Sequence, residues 1–145
     1  THFFRQVVKA PKPAHGVITP IIHCLSTDSH FNEIVHRHDG SDQRNYLQVL
    51  RTDPIFCSDP LFQGVPSKFN AVRYHSLVVD SNDVAASDTV VPLAWTRPTE
   101  EDEPPLLMAL KLRHKPHWGL QFHPESICTE YGGIIIRNFC RIVAE

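Results

Sequence analysis

The segment Trp118-Gly119-Leu120-Gln121-Phe122-His123-Pro124-Glu125-Ser126 decides the fold of this chain. Its first five residues alternate, with Trp118, Leu120 and Phe122 on one face, and this pattern predicts a buried strand. Pro124 then ends the strand, because proline has no N–H for a ladder hydrogen bond and its φ is fixed. The polar residues that follow are therefore expected at a strand end, where an open α/β sheet usually carries its chemistry.

His123 and Glu125 are the candidate catalytic residues of this segment. Two positions apart in an extended chain, their side chains point to the same side. The carboxylate can then accept a hydrogen bond from one imidazole nitrogen and leave the other to take a proton from a nucleophile. Because His-x-Glu is short and common, a surface loop without catalytic function is the alternative.

Composition excludes several classes of function. The 145 residues suffice for one domain, and 14 Lys+Arg against 16 Asp+Glu give a net charge of −2, which indicates neither nucleic acid nor an anionic membrane as partner. No apolar run is long enough for a membrane span, and no signal peptide is visible. Four scattered cysteines without a CxxC pair indicate free thiols in a reducing compartment, the cytoplasm. The chain begins with Thr1, so we expect a segment of a longer polypeptide.

Other patterns predict the remaining elements. Strands are expected at residues 16–23, 69–80, 90–96 and 107–114, with Pro20 arguing for an edge strand and Lys111 at an exposed strand end. Thr129 is a plausible N-cap for a C-terminal helix. Apolar residues at three- and four-residue spacing predict one buried face on that helix, with Cys140 near it: Ile135, Ile136, Phe139, Ile142 and Val143.

Residues 24–60 are predicted to be an inserted surface loop with a short strand at 46–50. A metal site is the alternative, since this region and its border contain His23, His30, His36 and His38. Their spacing is irregular and includes neither His-x-x-x-His nor a cysteine pair, so no metal is predicted. From Asp59 the chain is expected to form one helical turn that Gly64 and Pro66 stop.

Three motifs together resemble a known family. Phe122-His123-Pro124-Glu125-Ser126, followed by Thr129, Gly132 and Arg137-Asn138-Phe139, resembles the C-terminal signature of class I, triad-type glutamine amidotransferase domains. Arg73-Tyr74-His75-Ser76-Leu77 resembles the second signature of these domains. Ala10-Pro11-Lys12-Pro13-Ala14-His15-Gly16, otherwise a rigid connector, resembles the stretch that follows the nucleophile helix in amidotransferases serving chorismate-using synthases.

The resemblance implies a fold and a set of roles. The fold would be flavodoxin-like α/β, of which this chain supplies later strands and the last helix. His123 and Glu125 would complete a Cys-His-Glu triad, without a cofactor or metal. Glutamine would bind against Tyr74, Ser76 and Leu77, the last two through backbone groups. His15 and Gly16 would lie at the interface with a partner enzyme.

The nucleophile of such a triad has no match in this sequence. The family carries it in a Gly-x-Cys-x-Gly turn, which none of the cysteines fits: Cys24, Cys57, Cys128 and Cys140. Cys128 is near His123 in sequence but lacks glycine neighbours. The resemblance thus implies that residues 1–145 form a partial domain without its nucleophile-bearing part, and that this segment alone is inactive.

The implied function is ammonia supply from glutamine to a chorismate-aminating synthase, in cis or in trans. The motifs look most like those of aminodeoxychorismate (para-aminobenzoate) synthases of the folate pathway. The glutaminase component of anthranilate synthase, in tryptophan biosynthesis, is the alternative. A degenerate, non-catalytic binding module is a further alternative, although intact His123 and Glu125 argue against it.

Overall fold

The computed structural model describes residues 7–23, 59–80, 83–84, 87–100 and 103–144. This part of the chain is mostly strands with a C-terminal helix, as predicted. The elements are β1 (Val7–Ile22), a 3-10 turn (Pro60–Phe62), β2 (Lys68–Val79), β3 (Val90–Thr96), β4 (Leu107–Leu112), β5 (Trp118–Leu120) and α1 (Gly132–Ala144).

The strands form a curled sheet in the order β2-β1-β3-β4-β5, and every neighbouring pair is antiparallel. Beyond β5 the chain leaves β4 and crosses to the opposite end of the sheet. There Phe122 forms an antiparallel bridge with Arg73, and the His123 N–H donates to the Val72 carbonyl at 3.1 Å. Residues 122–130 therefore lie along the outer edge of β2, next to the second signature motif.

The core lies inside this curl. All seven residues of β3 are buried, because β3 has a neighbouring strand on each side. Phe122 is buried at 3% exposure in the main apolar cluster, and the half-buried Trp118 and Leu120 pack against it. The predicted alternation of these three side chains toward one face is thus confirmed.

β1 and β2 pair along their length with two irregularities, one at residues 10–13 and one at Gly16. The register passes from Lys9 opposite Leu77 to Ala14 opposite His75, so residues 10–13 bulge out. Pro11 and Pro13 of this bulge have no N–H to donate to a ladder, which explains the irregularity. The stretch predicted as a connector is therefore a bulged part of a strand.

The edge position predicted for this strand from Pro20 is wrong. β1 lies between β2 and β3, although it pairs with β3 only at Ile21 and Ile22. Pro20 precedes that short pairing, and its carbonyl accepts from the Arg97 N–H at 2.8 Å. Because its missing N–H falls outside the ladder with β3, the sheet accommodates the proline.

The helix exists as predicted, but two details were wrong. It begins at Gly132, and Thr129 lies outside it in the preceding loop. Its buried residues are Gly132, Ile135 and Asn138. The other residues of the predicted buried face are a half-buried Ile142 and the exposed Ile136, Phe139 and Val143, and Cys140 is exposed as well. Asn138 is buried because its amide donates to the carbonyls of Leu61 and Gln63, at 3.0 and 2.8 Å.

Asp59 joins the predicted helical turn, confirmed as Pro60–Phe62, to the sheet. One carboxylate oxygen accepts from the Leu61 N–H at 3.0 Å and from the Trp118 indole at 3.2 Å. The other lies 2.6 Å from Lys111 Nζ, and the Asp59 side chain is fully buried. Lys111, expected at an exposed strand end, is therefore half-buried because a carboxylate distant in sequence pairs with it.

His23 directly follows β1, and its side chain has a structural role. Its ring stacks on Phe62 with centroids 4.7 Å apart, and Nε2 donates to the carbonyls of Val65 and Pro66 at 3.1 and 2.8 Å. Burial lowers the pKa of His23, against the opposing effect of these hydrogen bonds. The rest of the predicted insertion, residues 24–58 with its strand and other histidines, lies outside the described residues.

No helix among the described residues is both long and apolar enough to cross a membrane.

Candidate active site

The predicted pair of catalytic side chains forms a hydrogen-bonded dyad. His123 Nδ1 lies 2.8 Å from Glu125 Oε1, and the two side chains are 39% and 66% exposed. The hydrogen bond from His123 is the main cause that lowers the pKa of Glu125. Glu125 is therefore an acceptor at neutral pH, and its contact with Nδ1 leaves Nε2 as the ring nitrogen that the pair does not use.

A loop, residues 123–131, holds this dyad against β2. The His123 carbonyl accepts from the Ser126 N–H at 3.2 Å and from the Thr129 hydroxyl at 2.7 Å. The same hydroxyl oxygen accepts from the Val72 N–H at 3.1 Å. Thr129 thus fixes the loop of residues 123–131 to β2, and this contact explains why it does not cap the helix.

Glu130 continues this attachment. Its N–H donates to the Asn70 carbonyl at 2.9 Å, and its carboxylate accepts from the Asn70 N–H at 2.7 Å. With the contacts to Val72, these bonds satisfy alternate backbone groups on the outer edge of β2. An unpaired strand edge is thereby covered by the loop that carries the dyad.

Tyr74 is the predicted glutamine-binding residue that contacts the dyad. Its ring packs edge-on against the His123 imidazole, with centroids 5.5 Å apart and planes at 89°. Tyr74 is 57% exposed, so more than half of the residue remains accessible beside this contact. Two residues along β2, Ser76 is also exposed and lies on the same side of the strand, and Leu77 is 50% exposed.

The two predicted interface residues lie beside Tyr74 on β1. His15 is its partner in the register. Gly16 has a φ of +69°, and a Cβ built on it would lie 2.8 Å from the Tyr74 hydroxyl oxygen. Glycine is needed at this position both for its backbone conformation and for the space that the Tyr74 ring occupies.

Gly132 is the residue of α1 that packs closely against the loop of residues 123–131. A Cβ at this position would lie 2.9 Å from the Pro124 carbonyl carbon and even closer to its oxygen. Only glycine therefore lets the helix begin this close to the residue between His123 and Glu125. Its neighbour Gly133 has nothing within 4 Å of such a Cβ.

The second signature also contains two inward-facing residues, and the role of Arg73 was not predicted from the sequence. Arg73 and His75 are buried, and the Arg73 Nε–H donates to His75 Nε2 at 2.9 Å. Their positions in the motif, alternating with Tyr74 and Ser76, were the available signal that they face inward.

The described cysteines are Cys128 and Cys140, and both are exposed. The Cys128 N–H donates to the Ser126 hydroxyl oxygen at 3.3 Å, within the loop of residues 123–131. Cys24 and Cys57 lie outside the described residues.

A hydrogen-bonded His-Glu dyad at a strand end is typical of triad-type hydrolytic and amide-transferring domains. The chain matches the family described as Glutamine amidotransferase class-I over residues 2–143. It belongs to this family, as the motifs predicted.

The chain is similar in sequence to two kinds of synthase. The chain is 42% identical over 82 residues to the aminodeoxychorismate synthase of Saccharomyces cerevisiae, which covers 57% of this chain and 10% of that protein. It is 36% identical over 132 residues to anthranilate synthase component II of Haloarcula marismortui, covering 91% and 55%. The corresponding values for anthranilate synthase component 2 of Methanothermobacter marburgensis are 33% over 141 residues, covering 97% and 51%. The chain thus spans about half the length of these two anthranilate synthase relatives.

The structural comparison concerns the fold alone. A crystal structure described as that of a GMP synthase component from Thermoplasma acidophilum matches with a TM-score of 0.60 at 22% identity. The match covers 96% of this chain and 48% of that one. The predicted fold, the later part of a flavodoxin-like class I amidotransferase domain, is confirmed.

Proposed function

We propose that this chain supplies the base, its orienting carboxylate and part of the glutamine pocket of a glutamine-hydrolysing domain. The observation that carries the proposal is the 2.8 Å contact between His123 Nδ1 and Glu125 beside the open ring of Tyr74. The nucleophile is a cysteine in the part of the domain that precedes this segment. Consequently, the segment alone does not hydrolyse glutamine.

The reaction follows from these roles. The cysteine thiolate attacks the side-chain amide carbon of glutamine, and His123 Nε2 takes the thiol proton and returns it to the departing ammonia. Glu125 holds the imidazole in the Nδ1–H form and stabilises it when it is protonated. Water then cleaves the thioester, glutamate leaves, and ammonia passes to a synthase that aminates chorismate.

Backbone groups are suited to hold the α-amino and α-carboxyl groups of glutamine. Ser76 is the only residue of β2 without a register partner on β1, because the bulge at residues 10–13 lies opposite it. We propose that its peptide groups, which have no β1 residue opposite them, contact the ligand. The exposed Leu77 follows at once, and Tyr74 precedes them on the same open side of the strand.

The experiment is a glutaminase assay on the polypeptide that carries the complete domain. His123→Ala is expected to reduce glutamate release by about 10²-fold or more, the contribution of a general base. Glu125→Gln should reduce it less, since it leaves the imidazole in place. The matched control is His114→Gln, at an exposed histidine in the β4–β5 turn. Release that is unchanged in His123→Ala would exclude this histidine as the base.

The acceptor of the ammonia is proposed to be the synthase that makes aminodeoxychorismate for para-aminobenzoate and folate. The yeast relative, with 42% identity, supports this choice. Anthranilate synthase is the second candidate, because its glutaminase components align with 91% and 97% of the chain. Supplying the full-length protein with chorismate and glutamine and identifying the aminated product distinguishes the two.

A further inference from the structure

The gap that the bulge leaves at Ser76 is spanned by its two neighbours. His75 Nδ1 lies 3.1 Å from the carbonyl oxygen of Leu77, so a side-chain hydrogen bond joins the residues on either side of Ser76. This bond occurs at the one point where β2 lacks a partner on β1. This bond restrains residues 75–77. In the rest of β2, pairing with β1 has the same effect.

Arg73 decides which nitrogen of His75 carries the proton. The Arg73 Nε–H donates to His75 Nε2 at 2.9 Å, and a guanidinium has no acceptor. Nε2 must therefore be unprotonated, which places the hydrogen of the neutral ring on Nδ1. That nitrogen is the one facing the Leu77 carbonyl, which can only accept. Both hydrogen bonds of the ring therefore require the Nδ1–H tautomer.

Burial keeps this arrangement in place. Arg73 and His75 are 5% and 9% exposed, and Arg73 Nη1 donates to the Thr19 hydroxyl of β1 at 3.4 Å. Burial, then the charge of Arg73 and to a lesser extent that of His123, lower the pKa of His75, against the hydrogen bond to Leu77. In a protonated His75 ring, Nε2 would carry a hydrogen that faces the Nε–H of Arg73, so two donors would oppose each other. His75 is therefore neutral at neutral pH.

We propose that Arg73 and His75 are positioning residues that brace the unpaired Ser76 segment for glutamine. The inference rests on the proposed function, because it assigns the Ser76 and Leu77 backbone to the head group of glutamine. A peptide segment that is already ordered binds its ligand without the loss of conformational entropy that ordering would cost. The brace thus acts on glutamine binding, and the chemistry at His123 does not depend on it directly.

Two substitutions at His75 separate its two hydrogen bonds. In His75→Asn the amide nitrogen takes the position of Nδ1 and can still donate to the Leu77 carbonyl. In His75→Gln the amide reaches the position of Nε2, where it can accept from Arg73 but not brace Leu77. Both variants replace the ring with an uncharged amide, so each is the control for the other.

The measurement is steady-state glutaminase kinetics of the full-length polypeptide. His75→Gln is expected to raise the KM for glutamine about tenfold, as for one lost hydrogen bond, and to leave kcat within about twofold. His75→Asn should keep KM within about threefold of the wild type. Nitrogen NMR of the labelled imidazole should show a single Nδ1–H tautomer in the wild type, and a mixture in Arg73→Met.

The outcomes are distinguishable. A wild-type polypeptide that does not hydrolyse glutamine overturns the proposed function and this inference with it. An active wild type with an unchanged KM in His75→Gln overturns the inference alone. Equal increases of KM in both His75 variants would also overturn it, since the ring would then act through packing. An Nε2–H tautomer in the wild-type spectrum would contradict the role of Arg73.

Discussion

Replacing Gly16 with alanine tests whether Tyr74 must stay against His123. The φ of +69° at Gly16 makes an L-residue unfavourable by about 1–2 kcal/mol. The added Cβ would lie 2.8 Å from Oη and 3.2 Å from Cζ of Tyr74, so the ring must move. Because Tyr74 is 57% exposed, it can swing toward solvent with little further loss of stability. That movement takes the ring away from the imidazole.

Gly64 provides the matched control. Its φ is +77°, and a Cβ there would meet nothing within 4 Å. Gly64→Ala should therefore carry the same backbone cost, about 1–2 kcal/mol, without touching the site. In a domain of about 150–250 residues, each variant should lower Tm by about 2–8 °C.

The two variants should differ in activity. An edge-on aromatic contact is worth about 0.5–1.5 kcal/mol, so Gly16→Ala is expected to lower kcat/KM for glutamine roughly two- to tenfold. Gly64→Ala should keep the wild-type value. The assays are thermal unfolding and glutamate release, both on the polypeptide with the complete domain. Equal loss of activity in both variants, or a full kcat/KM in Gly16→Ala, would contradict a role of the Tyr74–His123 contact in activity.

Three further predictions concern stability. Gly132→Ala should destabilise the fold by several kcal/mol because its Cβ overlaps loop backbone, whereas Gly133→Ala should stabilise it by up to about 1 kcal/mol through helix propensity. Asp59→Asn should cost about 3–5 kcal/mol because it leaves the half-buried Lys111 without its counter-ion. The pKa of His23 is lowered on folding, so stability should be full above about pH 6.5 and fall below it, less steeply in His23→Gln.

Chemical denaturation measures all three effects, and each has a contradicting result. If Gly132→Ala and Gly133→Ala have equal free energies of unfolding, the close contact between Gly132 and Pro124 is not required for stability. If Lys111→Met restores no stability to Asp59→Asn, the ion pair is not the cause of the loss. A pH slope that is the same with and without His23 would assign the acid sensitivity to other groups.

The features predicted correctly from the sequence are those that depend on residues close together in the chain. His123 and Glu125 form the predicted hydrogen bond, and this contact is local. The extended backbone expected for it is wrong, because residues 123–126 form a turn in which the Ser126 N–H donates to the His123 carbonyl at 3.2 Å. The turn after Asp59 was also predicted, since Gly64 and Pro66 act locally. β4 and β5 pair because only residues 113–117 separate them in sequence.

Contacts between distant segments account for what was missed. Thr129 looks like an N-cap by residue type, but β2 presents the Val72 N–H to its hydroxyl. Ile136, Phe139 and Val143 fit an apolar stripe, yet the described part of the sheet packs against Ile135 instead. Asp59 draws Lys111 inward across a separation that no local pattern reveals.

The most direct test compares glutamine with ammonia as nitrogen source for the full-length protein. His123→Ala should lower chorismate amination with glutamine by about 10²-fold or more, because the nucleophile loses its base. Amination with an ammonium salt should stay within about twofold of wild type, since that route bypasses the dyad. A variant that uses glutamine as well as the wild type would contradict the assignment of His123 as the base. Equal loss with both nitrogen sources would contradict a function confined to ammonia release.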